Sequence, residues 1–274
     1  MNWKIIPENF IINPFFFLFM AFFTGLLLGS FYTALADRIL YYFYGPGRKG
    51  SGKWEKIFMK SSFCFSCGQN IKTLDLIPVL GYILLKGRCR NCLAPIGWIR
   101  LTGEIFPGII LMIFVLLNSN WAYSFFSILL IGHLYISLVT DWNFFLLDYE
   151  NTAFLYVWGF LAVYTEYGYS TELLHHFYTA GFVFFVLLVL FLAGKGKKFG
   201  MGDLILAPSL ALYLGPLLSI LFFQLAASLS IVYIVIIQKN RKAPSPFGTF
   251  MAVSFFIIVS FDLFYKVFIQ FIRN

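Results

Sequence analysis

Long apolar runs separated by short polar gaps organise this chain, and most of the runs have membrane length. Phe10 to Ala36 is the first, and others follow at roughly 104–118, 121–140, 152–165, 173–193, 204–214, 216–238 and 249–272. A helix needs about 20 mostly apolar residues to cross a hydrocarbon core of about 30 Å. The pattern therefore predicts an all-α polytopic membrane protein with about eight transmembrane helices. The run at 204–214 is short, and Pro208 and the pair Gly215-Pro216 interrupt it. Helix breakers at membrane depth are tolerated mainly where the backbone is buried in protein or lines a cavity. A tilted helix pair joined by a tight turn is the competing account.

Ala34-Leu35-Ala36 imitates a signal-peptidase site at the end of the first run. The run is longer than a signal-peptide core of about 7–15 residues, so it is expected to be retained as a span. The longest polar gap, 37–103, holds 11 of the 20 Lys and Arg residues. Cytoplasmic loops carry such an excess, which puts this loop in the cytoplasm and the N-terminus outside. Lys195, Lys197 and Lys198, and then Lys239, Arg241 and Lys242, fall in gaps on the same side, whereas 118–121 and 166–172 carry no Lys or Arg. The organisation expected is a first transmembrane segment at 1–36, a cytoplasmic loop at 37–103 and a seven-helix core at 104–274.

Composition agrees. With 60% hydrophobic and 21% aromatic residues and a mean hydropathy of +0.83, the chain is too apolar for a soluble domain. Its net charge of +8 raises nucleic acid as a partner, but the cations sit in gaps between spans and topology accounts for them. The lipid bilayer is the expected partner, and nucleic acid is not.

All four cysteines lie in the long loop, as Cys64-Phe-Ser-Cys67 and Cys89-Arg-Asn-Cys92. Two C-x-x-C pairs at this separation are the pattern of a tetrahedral four-cysteine zinc site. Disulfides compete, but thiols on the cytoplasmic side stay reduced. Four protein ligands close the coordination sphere, so the metal expected at Cys64, Cys67, Cys89 and Cys92 is structural. It would fold a loop too small to have its own core.

Two acids stand out against the apolar background. Asp203 lies in Gly200-Met-Gly-Asp at the start of the short run, and Asp141 closes the run Trp121 to Thr140. A carboxylate at membrane depth costs about 2.5–3.5 kcal/mol on insertion scales and normally marks a site. An N-cap role for Asp203 is the plain alternative. The topology puts both acids at the same membrane face and at similar depth. Paired carboxyls share a proton, so that one acts as base toward water while the other polarises a carbonyl. Such a pair titrates as a unit, and neither acid takes a role of its own. His133 could face the same cavity or bond a neighbouring helix. Asp148 and Glu150 are expected at the interface, Glu104 near the start of the second span as a cap-region acid, and His175, His176 and Glu172 on the outer side.

Assembled, these residues resemble the type IV prepilin peptidases, the GxGD membrane aspartic proteases of pilus and type II secretion systems. Gly29-Ser30-Phe31 with Arg38, Ile77-Pro78, Lys86-Gly87-Arg88-Cys89-Arg90, Pro95-Ile96-Gly97 up to Glu104, Gly200-Met-Gly-Asp203 and Pro246-Phe247-Gly248 carry the likeness. The resemblance implies a bacterial inner-membrane enzyme with Asp141 and Asp203 as catalytic dyad. It also implies a substrate, the basic leader of a prepilin or pseudopilin, cut after a glycine at the cytoplasmic face. Many members then methylate the new N-terminus with S-adenosylmethionine, which makes that the second expected cofactor. The chain departs from the pattern at Asp148 and Tyr149, where a proline and an aspartate are usual, and at Ile205, where a lysine is usual. Thr33 and Leu40 also differ. A presenilin-like protease, a proton-coupled transporter, an assembly anchor and a catalytically altered homologue are the alternative readings.

Overall fold

A computed structural model describes residues 14–49, 53–59, 61–117, 120–194, 200–239 and 245–273. Among them, the secondary structure is helical apart from two isolated β-bridges. The described residues divide into two compact units, one before and one after residue 117. Lys195, Lys197, Lys198, Arg241 and Lys242, which carry part of the orientation argument, lie outside the described residues.

The first unit contains α1 (Pro14–Ile39), α2 (Lys53–Met59), α3 (Leu80–Leu84) and α4 (Trp98–Leu117). Gly25 and Gly29, one turn apart on α1, let the backbones of α1 and α4 touch. A Cβ on Gly25 would come within 2.5 Å of the Pro107 carbonyl, and one on Gly29 within 2.7 Å of the Gly103 carbonyl. Small residues one turn apart are the usual device for such close crossings in membranes. Beyond α1, Arg38 donates to the Ile57 carbonyl and to Ser62 Oγ, fastening α2 and the strand-like segment ahead of Cys64. α4 starts at Trp98 rather than at the expected residue 104. Glu104 is therefore inside the helix and is not a cap.

The second unit contains α5 (Trp121–Phe144), α6 (Tyr149–Tyr167), α7 (Thr171–Ala193), α8 (Met201–Val232) and α9 (Phe247–Arg273). Its core holds Leu130, Leu134, Leu155, Leu206, Leu210, Phe222, Met251 and Phe255. α8 is broken at Gly215, whose φ of 72° and ψ of −176° belong to a backbone region that only glycine enters readily. The break reverses the chain. Gly202, at the start of α8, meets Leu147, while Tyr233, just past its end, packs on Trp142 at 6.0 Å. Both ends of α8 thus return to the C-terminal end of α5, and the expected runs 204–214 and 216–238 are the two arms of one hairpin. The first arm is about 20 Å long at 1.5 Å per residue, short of the hydrocarbon thickness. At the bend, the buried His176 ring lies against Gly215 and its Nδ1 hydrogen-bonds the Leu212 carbonyl at 2.8 Å.

Among the described residues, six stretches are long and apolar enough to cross a membrane, with Met201–Gln238 taken as one. The expected span 152–165 falls in α6, which is not among the six. Polar groups interrupt that helix and face the bundle: Asn151 donates to the His133 carbonyl and to Ser137 Oγ, and Tyr156 donates to the Ile205 carbonyl. The chain is a polytopic membrane protein.

Candidate active site and metal centre

Asp141 occupies the last turns of α5 and is buried, at 5% exposure. It is tied to the beginning of α9. Its Oδ2 accepts the Thr249 backbone N–H at 2.7 Å and the Thr249 hydroxyl at 3.0 Å. The first amides of a helix have no partner within it, so the side chain of α5 caps α9 from outside. Gly248 makes room, because a Cβ there would stand 3.1 Å from Asp141 Oδ2. Gly248 of the Pro246-Phe247-Gly248 motif thus receives a physical reason: the chain turns into α9 directly beneath a carboxylate.

Asp203 lies in the first turn of α8. The cap residue of that helix is Gly200, which has no side chain to offer. Asp203, in the third helical position, folds back over it and bonds the Gly200 amide, the reciprocal half of a capping box. Its Oδ2 stands 3.1 Å from where a Gly200 Cβ would be. Asp141 acts on Asp203 as an electrostatic neighbour. Leu147 joins the two segments: it fills the space beside Gly202, 2.8 Å from the missing Cβ, and beside Gly248, 3.0 Å from the missing Cβ. The second glycine of GxGD therefore admits Leu147. Neither Leu147 nor Thr249 is prominent in the sequence. A leucine among apolar residues and a threonine at a helix start give no contrast.

The remaining candidates sort themselves. His133 bonds Asn151 Oδ1 at 2.8 Å and stacks on Phe154 at 4.8 Å, so it engages α6. Asp148 caps α6 by accepting the Glu150 N–H at 3.1 Å. The departure from the usual proline and aspartate is thus a helix start of ordinary chemistry. His176 stands at the Gly215 bend. Glu104 accepts the Ser30 hydroxyl at 3.1 Å and the Val79 N–H at 2.8 Å.

The four cysteines meet in the first unit. Their sulfurs all lie within 4.8 Å of one another, and Cys64 Sγ is 3.8 Å from Cys92 Sγ. A tetrahedron of thiolates about 2.3 Å from a metal has edges of about 3.8 Å. None is disulfide-bonded. The two pairs are built alike. Cys64 N–H bonds the Gln69 carbonyl and Gly68 N–H the Cys64 carbonyl; Cys89 N–H bonds the Ala94 carbonyl and Leu93 N–H the Cys89 carbonyl. Bridges Phe63–Asn70 and Arg88–Pro95 close both turns, and Gly68 and Leu93 both have positive φ. Burial opposes ionisation of the Cys64 thiol, but the amides of Cys67 and Ser66, together with hydrogen bonds from the Cys89 and Cys67 thiols, bring it down to about 6. At Cys92 the Ala94 amide favours the thiolate, yet burial and the other three sulfurs push the thiol up to about 11. Four such groups ionise together only around a cation, so the donor set fits a thiophilic metal ion.

Beside the cysteines is a cavity of about 350 Å³, lined among others by Asp37, Phe65, Tyr82, Arg100 and Glu104. In its wall, Asp37 and Arg100 are ion-paired at 2.7 Å.

Comparison with known proteins gives the same division. Residues 23–118 match the bacterial peptidase A24 N-terminal domain, and residues 128–235 match the type IV leader peptidase family. The chain is 28% identical over 240 residues to a type 4 prepilin-like proteins leader peptide-processing enzyme of Escherichia coli, covering 82% of this chain and 86% of that relative. It is 26% identical over 269 residues to a prepilin leader peptidase/N-methyltransferase of Aeromonas hydrophila, covering 88% and 89%. A Vibrio cholerae protein of the same name is 34% identical over 90 residues, a third of each chain. No solved structure matches. With the N-terminal domain matched over the cysteine-bearing unit and the peptidase over the unit holding both aspartates, the chain belongs to the type IV leader peptidase family.

Proposed function

We propose that this protein is an aspartic endopeptidase of the bacterial inner membrane that removes the leader of a type IV prepilin or pseudopilin. The cut falls after a glycine at the cytoplasmic face, and Asp141 and Asp203 are the catalytic pair. The observation that carries this reading is the meeting of α5, α8 and α9 around Leu147. It brings the GxGD aspartate and the acid held by Thr249 into electrostatic contact. The basic loop at 37–103 supports the cytoplasmic assignment.

In the proposed reaction the pair holds one proton. The ionised carboxyl takes a proton from a water as its oxygen attacks the carbonyl carbon of the leader glycine, and the protonated carboxyl polarises that carbonyl. Return of a proton to the departing nitrogen breaks the bond. The Thr249 donors fix the orientation of Asp141 through these steps. Either acid can start as the base.

Cys64, Cys67, Cys89 and Cys92 hold zinc in this reading, a closed site that shapes the loop and takes no part in hydrolysis. The relatives named as N-methyltransferases support a second step at the new N-terminus. S-adenosylmethionine, when bound, supplies an electrophilic methyl group. The cavity near the cysteines is of a size for a small ligand, and its acid, base and aromatic walls suit a molecule with amino-acid and ring portions.

Purified protein in proteoliposomes with a co-reconstituted prepilin tests the reading. Mass spectrometry of the product should find cleavage after the leader glycine, and a methyl adduct if the second step is retained. No cleavage of any prepilin by folded, metal-loaded protein would favour a transporter or an assembly anchor.

A further inference from the structure

The short helix α3 has two faces. Gly81, Tyr82 and Leu85 turn toward the cavity. Leu80, Ile83 and Leu84 turn away from it and are 55%, 59% and 72% exposed, and Leu74, in the preceding helical turn, is 71% exposed. Cavity and metal knuckles are complete without these four side chains. A large apolar surface left bare on a small module marks an interaction site.

Depth and charge identify what covers it. Val79, the residue before α3, donates its N–H to Glu104 Oε2. Glu104 is four residues inside the apolar stretch that opens at Arg100, about 6 Å along the helix axis. This hydrogen bond holds the start of α3 level with the first turn of a membrane span. Val79 itself has φ of 64° and ψ of −49°, and Leu80 N–H bonds the Pro78 carbonyl at 2.6 Å. That is a γ-turn of the strained hand, which a β-branched residue keeps only when its surroundings hold it. Glu104 supplies the hold. The turn bends the chain into α3 at this depth. The charges are those of a lipid-facing element. Lys72, Lys86 and Arg88 bracket the segment and are exposed. The acid within it, Asp75, is engaged by Arg90 through both oxygens.

We propose that the segment Leu74–Leu84 is an interfacial anchor, with Leu74, Leu80, Ile83 and Leu84 among the acyl chains next to the headgroups. Lys72, Lys86 and Arg88 meet anionic phosphates there. Apolar residues with flanking cations bind the boundary region in this way. The anchor fixes the cysteine module against the bilayer at a point between its two spans.

The test uses the full chain in nanodiscs of phosphatidylglycerol and phosphatidylethanolamine, with p-benzoylphenylalanine replacing Leu80, Ile83 or Leu84 in turn and metal content measured on each variant. After irradiation, mass spectrometry should find lipid adducts several-fold more abundant than peptide adducts at all three positions. Adducts chiefly to residues 117–274 or to a second copy of the chain would overturn the proposal. So would the absence of lipid adducts from metal-loaded variants.

Discussion

Thr249 is the residue on which the geometry of Asp141 turns, since both of its donors go to the same carboxylate oxygen. Thr249→Val keeps the amide and the volume and removes one charge-assisted bond. Such a bond is worth about 1.5–3 kcal/mol when made to a charged group. Because in the proposed reaction it orients one of the two acids, we expect kcat for prepilin cleavage to fall about tenfold or more, with KM little changed. Thr249→Ser should restore most of the rate. Equal loss in the serine variant would mean that packing, not the hydroxyl, mattered. The two aspartates were legible in the sequence because charge is rare in apolar runs. Thr249 and Leu147 were not, because nothing about either residue type is unusual where it stands. Glu104 was visible as an acid but misplaced, since α4 starts earlier than its hydropathy does: Trp98 and Arg100 are helical despite the polar surroundings.

Among the elements, the packing of the two glycine motifs against Leu147 makes a sharp prediction. Gly202→Ala would put a methyl 2.8 Å from Leu147 Cβ, and overpacking of this kind costs about 1–3 kcal/mol. Leu147→Ala leaves the Cβ that the new methyl meets but removes the branched end, so partial relief is expected in the double variant. A thermal-unfolding cycle in detergent reads the coupling, and strictly additive effects would contradict the contact. Gly215→Ala meets two obstacles, a backbone region closed to other residues and the His176 ring 2.8 Å away. We expect destabilisation of about 1–3 kcal/mol or more. The hairpin itself could be read from Gly215-Pro216 within an over-long apolar run. The charged gaps also put both of its ends on the Asp141 side; what the sequence lacked was the packing partners. The return of both arms to the end of α5 depends on contacts such as Trp142 with Tyr233, which no local pattern encodes.

For the molecule as a whole, the two units should answer differently to metal removal. The first has knuckles in place of a core around its cysteines, so a strong chelator should release about one metal ion per chain. Fast amide exchange should then spread over residues 61–97, with α5 to α9 unchanged. Loss of protection throughout both units would contradict this independence. The fork between Arg90 and Asp75 belongs to the same module. Hydrogen bonding to Arg90 holds the Asp75 carboxyl below the usual carboxylate range. Its contribution is present above an ordinary value of about 3.9 and is lost as pH falls through the depressed one. Asp75→Asn should therefore speed metal release at neutral pH and bring it closer to wild type in acid. The cysteine pattern announced this module from the sequence alone, because two spaced pairs admit few other geometries. The γ-turn at Val79 and the bare face of α3 were hidden, since a run such as Leu80-Gly-Tyr-Ile-Leu reads as core until its surroundings are known.

The central claim is that Asp141 and Asp203 perform the hydrolysis together, and asparagine tests it most directly. Asn keeps an oxygen that can accept the Thr249 N–H, so the cap on α9 survives while the acid is lost. With a co-reconstituted prepilin, wild type should cut after the leader glycine. Asp141→Asn and Asp203→Asn should each lose cleavage while keeping wild-type unfolding temperature and metal content. Cleavage retained by either variant would contradict the account and leave the capping of α8 and α9 as the whole role of these acids.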